Sequence, residues 1–466
     1  MINPSLIESL ENIISPDDIS VKTEDLESYS ADALTPFRAF GSANLLTRVA
    51  DVVVVPRSVE QVASIAKWAT ENRIPIVPYG GGTGIMGAAY PVNGGIILDL
   101  KGLSKVLEIN PTDLTVTVEA GIILEDLNIV LAKHGLMQGH DPYSVHVATV
   151  AGAISTNGVG YLAGRHGSMG QQVLGMEIVT PTGQVLTTQA VPQYSVGPNL
   201  NSLFIGSEGV LGIITKATLK IFRTPDKRIF VTIGFPSFEI GFEALLELFA
   251  LDLWPTLLDF SEWGRGVFLY MLFEGVTDKV DTQLRLARQL CEQFSGVDLG
   301  PDDALDYWTK RHDPGLDFRT NFLGQPRKVR WDSLWINPNG VGFDTLHVAL
   351  PASKILKYKN LCHEIMASRQ ITVLESSIWG QPEFFSMLLQ PYENTTNISN
   401  ETLALAIDEA LILAQDMGGI MEYCHGTGIK LNHLLSRDIG FSLDIIRSIK
   451  RTLDPSNIMN PGKLGL

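Results

Sequence analysis

Cysteine is scarce in this chain, and long uninterrupted apolar runs are absent from it. The 466 residues include three cysteines, Cys291, Cys362 and Cys424, which are too few and too scattered for a disulfide framework or an iron–sulfur site. No apolar run reaches the roughly 18 residues of a membrane-spanning helix, and the first residues lack the basic segment of a signal peptide. We therefore expect a soluble protein in a reducing cytoplasm, with no transmembrane segment.

Positive charge is also in short supply. There are 35 Lys and Arg residues against 51 Asp and Glu residues, giving a formal net charge of -16. Nucleic acids and anionic membrane surfaces are polyanions, so a chain of this charge is a poor partner for them. The expected partner is a small molecule.

Glycine, in contrast, is concentrated after the strand-like run at residues 74–78. Five glycines follow within eight residues: Gly80, Gly81, Gly82, Gly84 and Gly87. Glycine leaves backbone N–H groups open to an anionic ligand, so the loop predicts a phosphate-bearing cofactor. The alternative is a glycine-rich turn that binds nothing.

The residues after this loop separate the phosphate-binding motifs. An ATP-binding P-loop needs Lys and then Ser or Thr after its last glycine, whereas Ala88 and Ala89 stand here. A dinucleotide fingerprint occurs at residues 82–87, but it must open a helix. Pro91 and the glycines at 94–95 break any helix, and a strand is predicted at 96–100 instead. The order is therefore strand, glycine loop, strand, which disfavours NAD.

The remaining pattern of the first half is α+β. Strands are predicted at 51–56 and 114–120, and Ser58 with Gln61 forms a capping-box signal for a helix between them. Two further regions rich in small residues, at 139–170 and 206–215, would let a flat ligand lie close to the main chain. Composition changes near 224–225, where we expect a domain boundary, and helices are predicted at about 402–416 and 441–453.

Five stretches taken together identify a resemblance. They are residues 77–84 (VPYGGGTG), 118–121 (VEAG), 149–152 (TVAG), 206–212 (GSEGVLG) and 453–463 (LDPSNIMNPGK). In this order and spacing they resemble the FAD-linked oxidase family with the fold of vanillyl-alcohol oxidase and p-cresol methylhydroxylase (PCMH). Within the family the chain is most similar to the D-lactate and glycolate dehydrogenase branch and, through residues 139–142 and 195–198, to the alkylglycerone-phosphate synthase branch.

The resemblance implies a fold and a division into domains. The expected fold is α+β, with a two-subdomain PCMH-type FAD-binding domain and an α+β substrate cap domain that contains an antiparallel sheet. A lead at 1–45 would pack on the FAD-binding domain at 46–225. The cap would occupy 226–435, and 436–466 would return to the FAD-binding domain. Family members are often dimers, so a homodimer is one option.

The resemblance also implies where FAD would lie. The diphosphate would rest on residues 80–84, while 149–157 and 206–214 would flank the isoalloxazine and adenine portions. Residues 75–95 contain neither His nor Cys, so we expect non-covalent FAD, with a tether from the cap left open. The residues expected to bind FAD are Pro78, Tyr79, Gly80, Gly81, Gly82, Thr83, Gly84, Gly87, Asp141, Pro142, Ser144, Thr149, Ala151, Gly152, Ser155, Thr156, Asn157, Gly206, Glu208, Gly209, Gly212, Ile213, Ile214 and Asn460.

Three side chains are candidates for catalysis. Oxidation of an alcohol by a flavin needs a base for the hydroxyl proton, and His425 resembles the histidine of the family's His-Gly-x-Gly loop. The alternative is a histidine that fixes a tight turn. Arg311 resembles the arginine of the W-x-x-R element that binds a substrate carboxylate, and its rivals are Arg319 and those at 327 and 330. Tyr392 aligns loosely with a tyrosine acid/base of the synthase branch.

The chain departs from the metal-dependent hydroxy-acid dehydrogenases, because their ligand histidines are missing around 377–383 and before His425. We therefore expect no zinc or manganese site. The sequence predicts an FAD-dependent oxidoreductase acting on a small hydroxylated substrate, a D-2-hydroxy acid in the first place. The alternatives are an aromatic-alcohol oxidase, a redox-neutral synthase-like enzyme, and a flavin-binding protein without turnover. The electron acceptor, whether oxygen, a quinone or another protein, is left open.

Overall fold

The computed structural model describes residues 4–34, 38, 46–264, 266–321, 343–391 and 400–466. Within them, three β-sheets follow one another along the chain, with helices between the strands. The first sheet contains β1 (Ile19–Ser20), β2 (Val52–Val54), β3 (Ile76–Tyr79) and β4 (Ile96–Asp99). The second contains β5 (Val106–Asn110), β6 (Thr115–Glu119), β7 (Leu136–Gln138), β8 (Val173–Val179), β9 (Val185–Thr187) and β10 (Ile213–Arg223). The third contains β11 (Lys227–Phe235), β12 (Leu257–Trp263), β13 (Gly266–Gly275), β14 (Val297–Gly300), β15 (Asp344–Ala349), β16 (Ile371–Trp379) and β17 (Phe384–Pro391).

The helices divide in the same way. With the first two sheets lie α1 (Pro4–Leu10), α2 (Thr23–Tyr29), α3 (Val59–Asn72), α4 (Leu124–Ala132), α5 (Val150–Thr156), α6 (Ala163–His166), α7 (Met169–Gln172) and α8 (Asn201–Phe204). After them come α9 (Phe238–Ala250), α10 (Thr277–Gln293), α11 (Asp302–Lys310), α12 (Asp313–Asn321), α13 (Ile355–Ser368), α14 (Asn400–Asp416), α15 (Leu435–Ile439) and α16 (Ser442–Leu453).

The first sheet has the order β1-β2-β4-β3, and its strands β2, β4 and β3 are parallel. The predicted helix between β2 and β3 is confirmed as α3, whose N-terminus is capped by the Ser58 side chain accepting from the Gln61 N–H. The glycine loop connects β3 to β4 directly, as the sequence predicted. Because the two strands are parallel and adjacent, residues 80–95 must run from the carboxyl end of β3 back to the amino end of β4, and their first part lines the site described below.

The second sheet is antiparallel, and its longest strand, β10, pairs with β6, β7 and β8. The predicted strand at 114–120 is confirmed as β6. Its apolar residues Val116 and Val118 are fully buried, in one core cluster with the helices of this half and with Ile458 and Met459 near the C-terminus. Those C-terminal residues reach β3, since the Ile76 N–H donates to Ile458 O over 2.7 Å and the Asn460 N–H donates to Ile76 O over 2.8 Å.

The third sheet has the order β14-β11-β13-β12-β16-β17-β15, and every neighbouring pair is antiparallel. This confirms the predicted antiparallel sheet. One face is apolar and packs against α9, α10, α13 and α14 through residues such as Phe260, Ile378 and Phe385. Side chains alternate between the faces of a strand, so the opposite face carries a polar and aromatic set: Thr232, Tyr270, Asp259, Trp379, Ser377, Ser386 and His347.

Candidate functional site

A single cavity brings together the glycine loop, the two small-residue regions and the polar face of the third sheet. We name it the central cavity. Its walls are formed by Asp32, Pro78, Tyr79, Gly80, Gly81, Gly82, Thr83, Gly84, Ile85, Ala88, Ala89, Leu100, His140, Pro142, Tyr143, Ser144, Ala148, Thr149, Ala151, Gly152, Ala153, Ser155, Thr156, Gly158, Val159, Gly160, Tyr161, Glu208, Gly209, Gly212, Ile214, Trp379, Cys424 and His425.

The glycine loop is packed so tightly against residues 147–149 that side chains would not fit. A Cβ atom on Gly81 would lie 2.2 Å from Val147 O, and one on Gly82 would lie 2.0 Å from the Tyr79 hydroxyl. Gly82 also has a φ of +64°, a conformation that L-residues rarely adopt. The loop therefore presents main chain to the cavity, as an anion-binding loop requires.

The second small-residue region contains a helix that the sequence analysis did not predict. Helix α5 begins after Thr149, whose hydroxyl accepts from the Gly152 N–H over 3.3 Å, and ends at Asn157 in the left-handed conformation. Its Ala, Gly and Ser residues give no 3.6-residue apolar period, so the sequence pattern predicts small side chains at a ligand but no helix. Ala151, Gly152, Ser155 and Thr156 nevertheless line the cavity.

Most residues expected to bind FAD lie in the cavity wall, and six do not. The six are Gly87, Asp141, Asn157, Gly206, Ile213 and Asn460. Two of them hold neighbouring segments in place. The Asn157 side chain accepts from the Gly170 N–H over 3.0 Å, and the Asn460 amide donates to Ala88 O over 2.9 Å and to Glu208 O over 2.7 Å. Asn157 and Asn460 can therefore shape the cavity without touching a ligand.

His425 reaches the cavity from the loop that follows α14. Its side chain is 28% exposed, and Glu422 Oε1 lies 3.5 Å from its Nδ1. The same carboxylate oxygen accepts from the backbone N–H groups of Cys424 over 2.7 Å and of His425 over 3.0 Å. Burial by itself would lower the pKa of His425, but Cys424 and the Glu422 carboxylate outweigh it and raise the pKa to about 10.

A second histidine, which sequence reasoning missed, stands directly behind the first. The ring centroids of His347 on β15 and His425 are 4.6 Å apart in a T-shaped arrangement. His347 Nδ1 lies 2.7 Å from Ser386 Oγ, which in turn lies 2.9 Å from the Tyr423 hydroxyl. Burial, reinforced by the neighbouring His425, holds the pKa of His347 well below its ordinary value. The pair thus consists of a cationic ring at the cavity and a neutral ring behind it.

Arg311 does not line the cavity. Its Nε donates to Asp141 Oδ2 over 2.9 Å, and its guanidinium lies 3.3 Å from the centre of the Trp308 ring and 5.9 Å from that of Tyr161. Tyr161 does line the cavity, so the arginine is one side chain removed from it. The rival Arg319 is paired with Asp126 over 2.7 Å.

Other predicted residues lie outside the described part of the chain. These are Tyr392 and the arginines at 327 and 330.

Further aromatic and acidic side chains lie behind the cavity wall. Tyr161 and Trp379, which line the cavity, are stacked with centroids 6.3 Å apart, and Tyr307 on α11 meets Tyr161 edge-on at 5.9 Å. Asp259 pairs with Trp379 across β12 and β16. Burial raises the pKa of Asp259 to about 6, while burial and the Asp259 charge raise that of Glu375 to about 8.

Sequence reasoning could not place Asp259 beside Trp379, because only the register of β12 and β16 brings them together. The structure also adds Asp32, His140 and Tyr143 to the wall.

No group of three or more His, Cys, Asp or Glu side chains in the described ranges could hold a metal ion. None of the helices in those ranges is both long enough and apolar enough to cross a bilayer. The absence of a metal site remains a prediction.

The cavity fits FAD by two observations on the described residues. The cavity side of its glycine loop is bare backbone, in a conformation that leaves no room for a side chain at Gly80, Gly81 or Gly82. Further, two buried ring nitrogens in its wall have no hydrogen-bond partner among the described residues, namely His140 Nδ1 and Trp379 Nε1. Buried polar groups are normally paired, so unpaired ones that line a cavity are suited to a polar ligand. A flat, polar cofactor with a diphosphate meets both conditions.

Comparison with known families gives two matches along the chain. The family described as FAD binding domain matches residues 50–189, and the family described as FAD linked oxidases, C-terminal domain, matches residues 249–464. Together they confirm the predicted cofactor and the resemblance on which it was based.

Curated relatives are similar over most of the chain. A probable mitochondrial D-lactate dehydrogenase of Danio rerio is 27% identical and covers 90% of this chain and 84% of its own. The glycolate oxidase subunit GlcD of Bacillus subtilis is 24% identical, with 100% and 97% covered. An alkyldihydroxyacetonephosphate synthase of Caenorhabditis elegans is 25% identical, with 90% and 76% covered.

Solved structures agree on the fold. An alkyldihydroxyacetonephosphate synthase has a TM-score of 0.77 at 20% identity and covers 99% of this chain and 85% of its own. A p-cresol methylhydroxylase with substrate bound has a TM-score of 0.77 at 20% identity, with 99% and 96% covered. The predicted α+β fold of the PCMH type is confirmed.

Proposed function

This chain belongs to the FAD-linked oxidase family, and on that premise we propose that it oxidises a D-2-hydroxy acid of the lactate or glycolate type. It is an FAD-dependent oxidoreductase. The substrate class rests on relatives that are named for D-lactate and glycolate. The proposed reaction rests on the position of His425, a titratable side chain in the cavity wall on the side of the third sheet.

When bound, FAD supplies the acceptor for the substrate hydride. The chain would hold the diphosphate on the backbone of residues 80–84, and α5 with residues 208–214 would bound the rest of the cofactor. Buried walls exclude water from the reacting atoms, which strengthens every electrostatic interaction inside. We propose non-covalent binding, since the glycine loop offers no His or Cys.

His425 would take the hydroxyl proton of the substrate. Only its neutral form can accept a proton, and with a pKa of about 10 the ring is mostly protonated at neutral pH. The proposal therefore implies a reaction that becomes faster as the pH rises. Until it loses its proton, the same ring places a positive charge beside an anionic substrate.

Arg311 remains our candidate for the substrate carboxylate, from its position behind Tyr161. Its hydrogen-bond donors would be shared between Asp141 and the bound acid, because a guanidinium has donors on several nitrogens.

Tyr392 stays a candidate acid/base, outside the described residues. The domain boundaries at 45, 225 and 435 are likewise proposed. The change of sheet between Arg223 and Lys227 supports the second of them.

An aromatic alcohol is the second candidate substrate, and one observation favours it. Tyr161 and Trp379 form an aromatic part of the wall, with Tyr307 edge-on to Tyr161. Two buried atoms there, Asp259 Oδ1 and Trp379 Nε1, have no hydrogen-bond partner among the described residues. A ring that carries a hydroxyl group could stack on this wall and pair with those atoms. A synthase-like reaction ranks third, on the named relative alone.

Location and partners complete the proposal. We place the enzyme in the cytoplasm, where its three free cysteines would stay reduced. Oxygen, a quinone or an electron-transfer protein would reoxidise the flavin, and a homodimer is the proposed assembly.

An anaerobic screen tests the substrate class. D-lactate, L-lactate, glycolate, D-2-hydroxyglutarate and a phenolic alcohol are mixed separately with the yellow enzyme, and bleaching of the flavin band is followed. We expect bleaching with a D-2-hydroxy acid and none with L-lactate. Bleaching by the phenolic alcohol alone would establish the second candidate instead.

The role of His425 is tested separately, with the variant His425→Gln. His433→Gln is a suitable control for it, because His433 is half-exposed and pairs with Asp408 at the surface.

A further inference from the structure

Asp32 is a buried carboxyl group in the wall of the central cavity. Only 1% of the residue is exposed, and its Oδ2 lies 3.7 Å from where a Cβ atom on Gly84 would stand. It follows α2 in the N-terminal lead, a segment to which the sequence analysis assigned no role in the site. A carboxyl group is unexpected there, because the adjacent loop is the proposed seat of a diphosphate.

The segment that carries Asp32 is fastened across the glycine loop. The Ala33 N–H donates to Gly84 O over 2.8 Å, and the Tyr79 hydroxyl donates to Ala31 O over 3.1 Å. Asp32 itself accepts from the Leu34 N–H over 3.0 Å through Oδ1 and from the Ala89 N–H over 3.4 Å through Oδ2. The backbone bonds hold residues 31–33 against the loop, so the Asp32 side chain can turn away from the cavity only by releasing the Leu34 and Ala89 N–H groups.

The electrostatics of this place favour the neutral acid. Burial raises the pKa of Asp32 to about 7, against the opposing effect of the Leu34 and Ala89 N–H groups and of Lys463. A diphosphate bound on the neighbouring loop adds like charge, which disfavours ionisation further. An ionised carboxylate and a diphosphate would be two anions in one buried space.

We propose that Asp32 is a cofactor-binding residue that faces the FAD diphosphate as a neutral carboxylic acid, and that its ionisation loosens the cofactor. This inference rests on the proposed position of FAD in the central cavity. Residues 31–34 then form a strap over the glycine loop. How tightly the strap and the loop bind the cofactor depends on the proton of the Asp32 carboxyl group. FAD binding and protonation of Asp32 are linked, so each favours the other.

Other charged groups face the glycine loop and Asp32. Lys101 donates through Nζ to Gly80 O over 2.9 Å and is paired with Asp99 over 2.8 Å. The Lys463 ammonium group, from the C-terminal segment, donates to Tyr90 O over 2.7 Å, and burial lowers its pKa to about 8. Glu208, from the loop before β10, accepts from the backbone of residues 427–428, and burial raises its pKa. Loss of the Lys463 charge would also weaken diphosphate binding at higher pH, so the experiment must isolate Asp32.

The test is the release of FAD from diluted holoenzyme, followed by flavin fluorescence between about pH 6 and about pH 8. In the wild type, we expect the dissociation constant to rise towards about tenfold per pH unit once Asp32 ionises. Asp32→Asn keeps the shape without the charge, and Asp32→Ser keeps an acceptor for the Leu34 N–H. Both variants should show a flatter pH dependence and bind FAD more tightly than the wild type at the upper end. Asp51→Asn is the matched control, since Asp51 accepts from the Gly95 N–H outside the cavity.

Each outcome decides the matter. A wild-type dissociation constant that is constant over this range overturns the inference whether or not the variants fold, and so do variants that retain the wild-type pH dependence. Folded variants that bind FAD more weakly at every pH would make Asp32 a structural acceptor only. If the wild type binds FAD at no pH, the proposed cofactor site itself fails, which is a different result from FAD binding without pH dependence.

Discussion

Glu208, in the FAD-binding half of the molecule, hydrogen-bonds to the loop at residues 424–428, which carries His425. Its Oε1 accepts from the backbone N–H of Thr427 over 2.5 Å and from that of Gly428 over 3.0 Å, and its Oε2 also lies 3.0 Å from the Gly428 nitrogen. A Cβ atom on Gly426 would stand 2.5 Å from Oε1, so the glycine is needed for this approach. One buried carboxyl group therefore sets the distance between the proposed base and the proposed cofactor.

Replacing Glu208 tests that role. In Glu208→Gln an amide N–H group must face backbone N–H donors, which leaves buried donors unpaired at a cost of about 1–3 kcal/mol. We expect a lower free energy of unfolding, measured by urea denaturation, together with slower flavin reduction. Glu60→Gln, at an exposed position, is the control. Unchanged stability and unchanged flavin reduction in Glu208→Gln would show that the carboxyl group is dispensable.

The pH profile of flavin reduction tests the proposed role of His425. A base must be neutral to act, and Cys424 and Glu422 raise the pKa of this ring to about 10. The rate constant for flavin reduction should therefore rise tenfold per pH unit below that pKa and level off above it. His425→Gln should reduce it by about 10²- to 10⁴-fold and remove the rise. A rate that falls at alkaline pH would instead assign His425 as a cation that binds the substrate.

His347 is expected to act by positioning His425 rather than by touching the substrate. In His347→Gln the ring that stands 4.6 Å from His425 is lost, and the freed imidazole can tilt. A small misplacement of a catalytic group slows the reaction by about 10- to 100-fold. Stopped-flow measurements should show that loss in the rate of flavin reduction, with a shifted pH profile and unchanged FAD affinity. A variant that loses FAD affinity alone would reveal a merely structural residue.

Arg311 offers a test of the substrate carboxylate. Lysine keeps the positive charge but not the forked donors, so Arg311→Lys should raise the KM for a D-2-hydroxy acid by about 10- to 100-fold. Arg319→Lys changes a comparable ion pair, with Asp126, and should leave KM unchanged. Equal effects of the two substitutions would indicate a stability defect and argue against a carboxylate clamp. An aromatic alcohol without a carboxylate should be insensitive to either change.

Local sequence signals predicted the parts of this protein that local physics determines. The Ser58 cap, the β6 alternation and the glycine loop each depend on neighbouring residues, and each was predicted correctly. His347 could not be found in this way, because β15 meets the His425 loop only through the tertiary fold.

Asp32 was missed for a similar reason. No motif distinguishes it from the other acidic residues of the N-terminal lead. Its distinctive property, burial beside the glycine loop, exists only after folding.

The central claim is that the bare backbone of the glycine loop binds FAD, and titration of the protein with FAD tests it most directly. A Cβ atom on Gly81 would collide with the backbone oxygen of Val147, whereas one on Gly234, outside the cavity, would meet only the side chain of Leu299 at 3.2 Å. We predict that the wild type and Gly234→Ala bind one FAD per chain, and that Gly81→Ala binds at least about tenfold more weakly while its circular dichroism stays native. Equal FAD affinity in all three proteins, or a wild type that stays colourless with FAD, would contradict the account.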